Sequence, residues 1–377
     1  MGDAAITGLS AVILDQYARA FDVQLGGTVR HAAIVPRLST AIANGARGLN
    51  GTSGPIAVSI NIVPGDAEAI ISDVRLAADQ QQRARAIAGS LIAQIDRKTS
   101  VALGISRSAL SLAKQLDGSG RTAFLASEAA DAGLGFDARA GASFALRYDL
   151  AGVHINTAAE SGEIERYEPS LTPQRRDQYS LASFGADRRF GRLGLLARAT
   201  YLNEQDTVLG ARFDEFLGAN GARTWLADVG ADLRLGTNWH ASAALRRGFT
   251  SIGAGGARLG RDYIRSDAWS FDISKTHLFI PRDQFALRIA QPLRVSSGGF
   301  DVTLARRYDY ASQSATLATQ RVNLTPKGHE VDVEALYARE VGRGLISGNV
   351  YFRRNPGHFA TAPNDYGLAI RFTLRPL

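Results

Sequence analysis

From about residue 56 onward, apolar and polar residues alternate at every second position, the period of a strand with one apolar and one wet face. The clearest segment is 223–235. There Trp225, Ala227, Val229, Ala231, Leu233 and Leu235 share one face, and Asp228, Asp232 and Arg234 share the other. The next segment sets Trp239, Ala241, Ala243 and Leu245 against Asn238, His240, Ser242 and Arg246. Gly236-Thr237 between them makes the tight turn that a hairpin needs. The same reading applies around Phe144–Asp149, Val153–Asn156, Leu193–Tyr201, Trp269–Ser274, Gln284–Ile289, Val331–Tyr337, Ile346–Arg353 and Tyr366–Arg375. Weaker candidates lie at 56–63, 84–96 and 99–107.

Connections between these segments alternate in length. Short links fall near Arg97-Lys98, Leu150, Gly191-Arg192, Gly236-Thr237, His277–Arg282 and Gly342–Gly344. Long links fall near 109–140, 161–177, 204–222, 249–265, 293–328 and 355–365. A transmembrane barrel has short turns at its periplasmic end and long loops outside, and strands of roughly ten residues suffice to cross the bilayer. The pattern predicts an all-β fold, an antiparallel up-and-down transmembrane β-barrel of about 12–14 strands over residues 56–377. Phe300, Val302 and Leu304 suggest strands reaching beyond the membrane. Residues 1–55 read as a linker, with Gly8–Tyr17 extended, a short helix over 36–47 and a glycine-rich link over Gly48–Gly54. That helix is placed either in the barrel lumen or on the surface.

Composition narrows the classes further. The chain is 45% hydrophobic, too apolar to be disordered, yet no apolar run approaches a membrane-spanning helix. A net charge of +7 comes from basic residues scattered among acidic ones, which argues against nucleic-acid binding. With no cysteine, disulfide frameworks and cysteine-based metal sites or nucleophiles are excluded.

Candidate chemistry is sparse. Gly51-Thr52-Ser53-Gly54-Pro55 resembles the surroundings of a subtilisin-type serine, but glycine and proline follow Ser53 directly and no histidine stands in a matching context. It reads as a turn, and no catalytic residue is assigned. The six histidines are dispersed without metal-ligand spacing, and Gly253–Gly256 lacks the lysine of a phosphate loop, so no metal or cofactor is expected. The polar faces supply lumen-lining candidates: Arg147, His154, Arg198, Asp232, Arg234, Arg246, Asp272, Arg288, Asp332, Glu334 and Arg371. They either hydrate a conduit or form ion-paired networks that fill the barrel.

Several segments resemble the region that follows the protease domain in alphaproteobacterial subtilisin-like serine proteases of peptidase family S8. These are Ile6–Asp15, Tyr17–Val23, Thr122–Leu125, Ala145–Leu150, Gln291–Val295, Ser297–Leu304, Glu330–Ala335 and Asn355–His358. The resemblance spans the chain and implies an autotransporter-like barrel in the outer membrane of a Gram-negative bacterium. It implies as partners outer-membrane lipid, the barrel-assembly machinery and an N-terminal protease passenger, with the catalytic domain upstream of this chain. One departure is the ending, Thr373-Leu374-Arg375-Pro376-Leu377, where such barrels finish on an aromatic. Met1–Ala5 carries no basic or apolar leader, so the chain reads as the downstream part of an exported precursor or as a protein that is not exported. Two other readings stay open, a free-standing porin-like channel and a soluble β-rich surface or adhesion protein.

Overall fold

The computed structural model describes residues 2–3, 10–25, 47–62, 87–117, 124–136, 138–164, 177–213, 219–254, 263–342 and 344–374. Two short strands open it, β1 (Ser10–Leu14) and β2 (Ala20–Gln24). Then come β3 (Arg47–Ser53), β4 (Ile56–Ile62), β5 (Ile87–Gln94), β6 (Thr99–Ile105) and one helix, α1 (Ala109–Leu116). The long strands follow: β7 (Ala138–Leu150), β8 (Val153–Ile164), β9 (Asp177–Phe190), β10 (Leu193–Glu204), β11 (Ala219–Leu235), β12 (Trp239–Ala254), β13 (Tyr263–Thr276) and β14 (Asp283–Ser297). The hairpin β15 (Gly299–Asp309) and β16 (Ser314–Asn323) precedes β17 (Val331–Val341), β18 (Gly344–Arg354) and β19 (Asp365–Leu374).

Fifteen of these strands form one antiparallel meander in sequence order, from β3 to β14 and on through β17, β18 and β19. Every neighbour in that sheet is its neighbour in the chain, apart from the hairpin that lies outside it. This is the up-and-down barrel architecture that the periodicity predicts. Links of two to six residues alternate with long ones throughout. Turn backbones fit that role: Gly236 and Asn238 both take positive φ, which right-twisted hairpins require.

The strand count exceeds the expected twelve to fourteen. Residues 47–53, read as the end of a helix and a glycine-rich link, pair with β4 across the turn Gly54-Pro55. Glycine masks an alternating pattern because it contributes no side chain to either face. The rest of the expected helix, 36–46, lies outside the described residues. From β7 to β14 the strands run for 12 to 17 residues, longer than a bilayer requires, so the wall stands out beyond the membrane. Among the described residues β3 pairs only with β4, and β19 only with β18.

The two faces separate as the pattern requires. Leu195, Trp225, Val229, Leu245, Phe271, Val350, Leu368 and Ile370 point outward, between 45% and 76% exposed to solvent in the isolated chain. Such apolar exposure is out of place on a protein surrounded by water and matches a lipid-facing belt. No helix among the described residues is long and apolar enough to cross a membrane. Long antiparallel strands with an apolar outer face are the build of a membrane-spanning β-barrel.

The long-loop end holds its own apolar core. Phe300, Val302, Leu304, Val322 and Leu324, on one face of β15–β16, pack over Val208, Ile264 and Val295. The β1–β2 hairpin stacks on β15, with Ala11 in the same core. Backbone N–H of Ser10 donates to Gln320 Oε1 at 3.3 Å, and Gln320 Nε2 donates back to Ser10 O at 2.8 Å.

Candidate functional site in the barrel interior

Hairpin register decides which charges meet inside the wall. In the β10–β12 meander, Arg198 stands opposite Asp228, and Asp228 opposite Arg246. Across β13, β14 and β17, Asp272 faces Arg288 and Arg288 faces Glu334. Each row alternates in sign, as directly opposed pairs must to avoid like-charge repulsion. Arg246 clamps Asp228 with both prongs, Nε at 2.6 Å and Nη2 at 3.0 Å. Arg288 does the same to Asp272, at 2.7 and 2.6 Å. These two-pronged contacts are the strong geometry for a guanidinium and a carboxylate.

The third hydrogen-bonding arm of each arginine reaches toward the axis and meets a segment that the pattern assigns to an outer loop. The link between β6 and β7 folds inward. Arg288 Nη1 donates to Ser127 O at 3.1 Å, Arg246 Nη1 donates to Gly133 O, and Arg198 Nη1 donates to Asp131 O at 3.4 Å. From β13, Ser270 Oγ accepts the Ala130 N–H at 3.1 Å. Glu334, completely buried, accepts three successive backbone N–H groups, those of Leu125, Ala126 and Ser127, at 2.6, 2.9 and 2.8 Å, and Asn349 Nδ2 at 2.7 Å. With four donors converging on its carboxylate, Glu334 is a fixed mooring for the segment.

The helix secures the other side of the same link. Glu160 on β8 accepts the N–H of Ala109 at 2.5 Å, where the helix dipole favours a negative charge. Leu112 and Ala113 pack against Ala102, Ala145 and Ala158 of the wall. That approach needs a bare backbone at Gly104, because a Cβ there would lie 2.9 Å from the Leu112 methyl carbon. Lys114 pairs with Asp131 at 2.7 Å, tying helix to loop, and Arg147 of β7 pairs with Asp117. Residues 109–117 and 124–133 are therefore anchored to β7, β8, β10, β12, β13, β14 and β17, strands on opposite sides of the interior.

The sequence candidates divide accordingly. Arg147, Arg198, Arg246, Arg288 and Glu334 meet in the network around the inward segment. His154 sits lower and bonds Asp187 through Nδ1 at 2.8 Å. Asp272 is held by Arg288, as above. Asp332 is buried and belongs to a cluster at the long-loop end, 3.5 Å from Arg353. Asp232 pairs with Arg189 at 2.6 Å near the short turns, where both are about one-third exposed. Arg234 and Arg371 lie exposed near that same end, away from the network. Asp228 and Arg353 share the polar faces but do not figure among the candidates. Counting outward from the Gly236-Thr237-Asn238 turn would have paired Asp228 with Arg246.

At the long-loop end His358, buried, accepts the Glu330 N–H through Nδ1 at 3.1 Å and contacts Leu293 O through Nε2 at 3.1 Å. Its ring is therefore neutral, with the proton on Nε2. Burial pushes its pKa down from 6.5 to about 4, while Glu330 acts in the opposite direction. The unfolded chain takes up the proton first as pH falls. Docking of the 355–360 turn should thus be constant above pH 6.5, weaken between 6.5 and about 4 by at most ~3 kcal/mol, and level off below. Hydrogen exchange of the Glu330 amide across that range measures it. A profile that is flat, or unchanged by His358→Phe, would overturn the assignment.

No family model and no curated protein matches the sequence. Among solved structures the chain is similar to the outer-membrane expressed OmpT of Vibrio cholerae, with a TM-score of 0.47 and 6% identity over 86% of this chain and 99% of that one. It is also similar to OccAB4 of Acinetobacter baumannii, with a TM-score of 0.35 and 10% identity over 84% and 82%. A third is the siderophore receptor PirA from Acinetobacter baumannii, with a TM-score of 0.29 and 10% identity over 79% and 53%.

Proposed function

We propose that this chain is a translocator and anchor barrel that displays an N-terminal passenger at its long-loop end, with the lumen closed at rest by residues 109–117 and 124–135. The observation that carries the reading is the seat of the N-terminal residues. Asp3 accepts the backbone N–H groups of Lys327, Gly328 and Ala360 at 2.7–2.9 Å. Ala20 N–H donates to Tyr310 Oη at 2.8 Å on the tip of the β15–β16 hairpin. Long loops face outward in such barrels, so a domain joined ahead of residue 2 would be held outside the cell. The resemblance to S8 protease C-terminal regions supports a protease as that passenger, with no catalysis by this chain. Insertion would use the barrel-assembly machinery.

The test is an epitope placed ahead of Met1, behind an export signal, in a Gram-negative host. Protease added to intact cells should remove the epitope; protection until the cells are permeabilised would sink the reading. A porin-like channel is the second reading, favoured by the polar contacts that hold residues 124–133 to the wall. It requires steady conductance from the unmodified barrel, whereas the plugged translocator requires none.

A further inference from the structure

The interior arginines that line the inward segment are matched with carboxylates, but among the described residues three arginines on the outer face are not. Opposed residues of β11, β12 and β13 form a small outward grid. Its rows are Ala227, Arg247 and Asp267; then Trp225, Phe249 and Arg265; then Arg223, Ser251 and Tyr263. Arg223, Arg247 and Arg265 are exposed, on the same face as Trp225, Phe249 and Tyr263. Among the described residues no side-chain hydrogen bond or ion pair engages their guanidinium groups. Asp267, opposite Arg247, turns to β14 and accepts Gln291 Nε2 at 3.0 Å.

Their height along the wall decides what can reach them. Trp239 and Lys275, opposed at the short-turn end with the ammonium over the indole ring, mark the lower edge of the apolar belt. Arg247 stands eight residues further along β12. At about 3.3 Å per residue and a tilt near 40°, that is ~20 Å along the membrane normal, with the Arg265 row at ~25 Å and the Arg223 row at ~30 Å. An apolar band is about 25 Å tall, so the three cations stand at its outer rim, inside an aromatic girdle. Arginine there is tolerated, and its planar fork matches a phosphate bidentately.

We infer that Arg223, Arg247 and Arg265 form a binding site for the phosphate groups of an anionic lipid headgroup in the outer leaflet. The aromatic residues between them flank the glycerol or sugar portion while the acyl chains lie along Leu245, Val229 and Phe271. The headgroup supplies the negative charge that no described side chain gives these three arginines.

Full-length chain reconstituted in phosphatidylcholine vesicles tests this through tryptophan fluorescence, because Trp225 sits within the grid. Brominated phosphatidic acid, a phosphate monoester lipid, should quench more than brominated phosphatidylcholine, with local enrichment of about fivefold or more at roughly 1 kcal/mol per cation. Equal quenching by the two lipids in the unaltered chain overturns the proposal without any variant. Arg223→Gln, Arg247→Gln and Arg265→Gln together should remove the enrichment. Arg188→Gln, Lys275→Gln and Arg339→Gln, at the other end of the wall, should leave it. Enrichment that survives the first set, or that is lost equally in the second, also overturns the site. Excess inorganic phosphate should not abolish the effect; full competition would assign the site to a soluble anion and reject the lipid.

Discussion

A Glu334→Leu barrel is expected to conduct ions where the unmodified barrel is closed. The carboxylate accepts the three successive N–H groups of Leu125, Ala126 and Ser127, and leucine would leave these buried donors without a partner. Hydrogen bonds to a charged group contribute about 1.5–3 kcal/mol each, and orphaned donors add a desolvation cost once buried. Losing the mooring by even ~3 kcal/mol raises the undocked population of the segment roughly a hundredfold. Glu334→Gln keeps an acceptor oxygen but loses the charge, and should raise it nearer tenfold. Arg288 keeps Asp272 in both variants, so no stranded cation confuses the comparison. Single-channel recording in planar bilayers gives the readout, with residues 109–135 replaced by a short glycine-serine linker as the fully open reference. A silent linker variant would mean that something other than this segment closes the lumen. Equal behaviour of Glu334→Leu and the unmodified chain would remove Glu334 as its mooring.

The second large effect concerns the opposite face. Val229→Arg puts a guanidinium six residues along β11 from Leu235, roughly 15 Å up the apolar belt and near its middle. A cation at the midplane of a barrel wall costs about 2–4 kcal/mol, enough to lower the folded population in vesicles by some thirty- to a thousandfold near the transition. Arg198→Ala removes an inward cation and leaves the belt untouched, so it should loosen the inward segment while sparing insertion. Guanidinium titration followed by gel mobility of unheated samples compares them. Similar losses for both would reverse the assignment of faces.

Most of the wall was legible because its rule is local: a two-residue period survives in each strand whatever its neighbours do. The 223–246 hairpin shows this best, since its turn residues also fix the register that joins Asp228 to Arg246. Three things were not legible, each for a physical reason. Strand β3 is built on Gly48, Gly51 and alternating small residues, which carry little facial contrast. The extra strand length of β11 and β12 lies above the membrane, where the outward face no longer needs to be apolar. Above all, the inward course of 109–135 is set by donors and acceptors on distant strands. Glu334 lies more than two hundred positions from Leu125, and no short-range pattern relates them. The lumen candidates were identified by face alone, which explains why Arg234 and Arg371 share a polar face with the network yet stand apart from it.

The number of strands carries a mechanical consequence. Fifteen strands among the described residues is an odd number, so β3 and β19 run in the same direction, and a wall closed directly between them would have a parallel seam. Such a seam has slanted, evenly spaced bonds that hold slightly less per residue than the antiparallel ladders elsewhere. With one described partner each, β3 and β19 are the strands where amide exchange should begin and where pulling on the wall should first tear it.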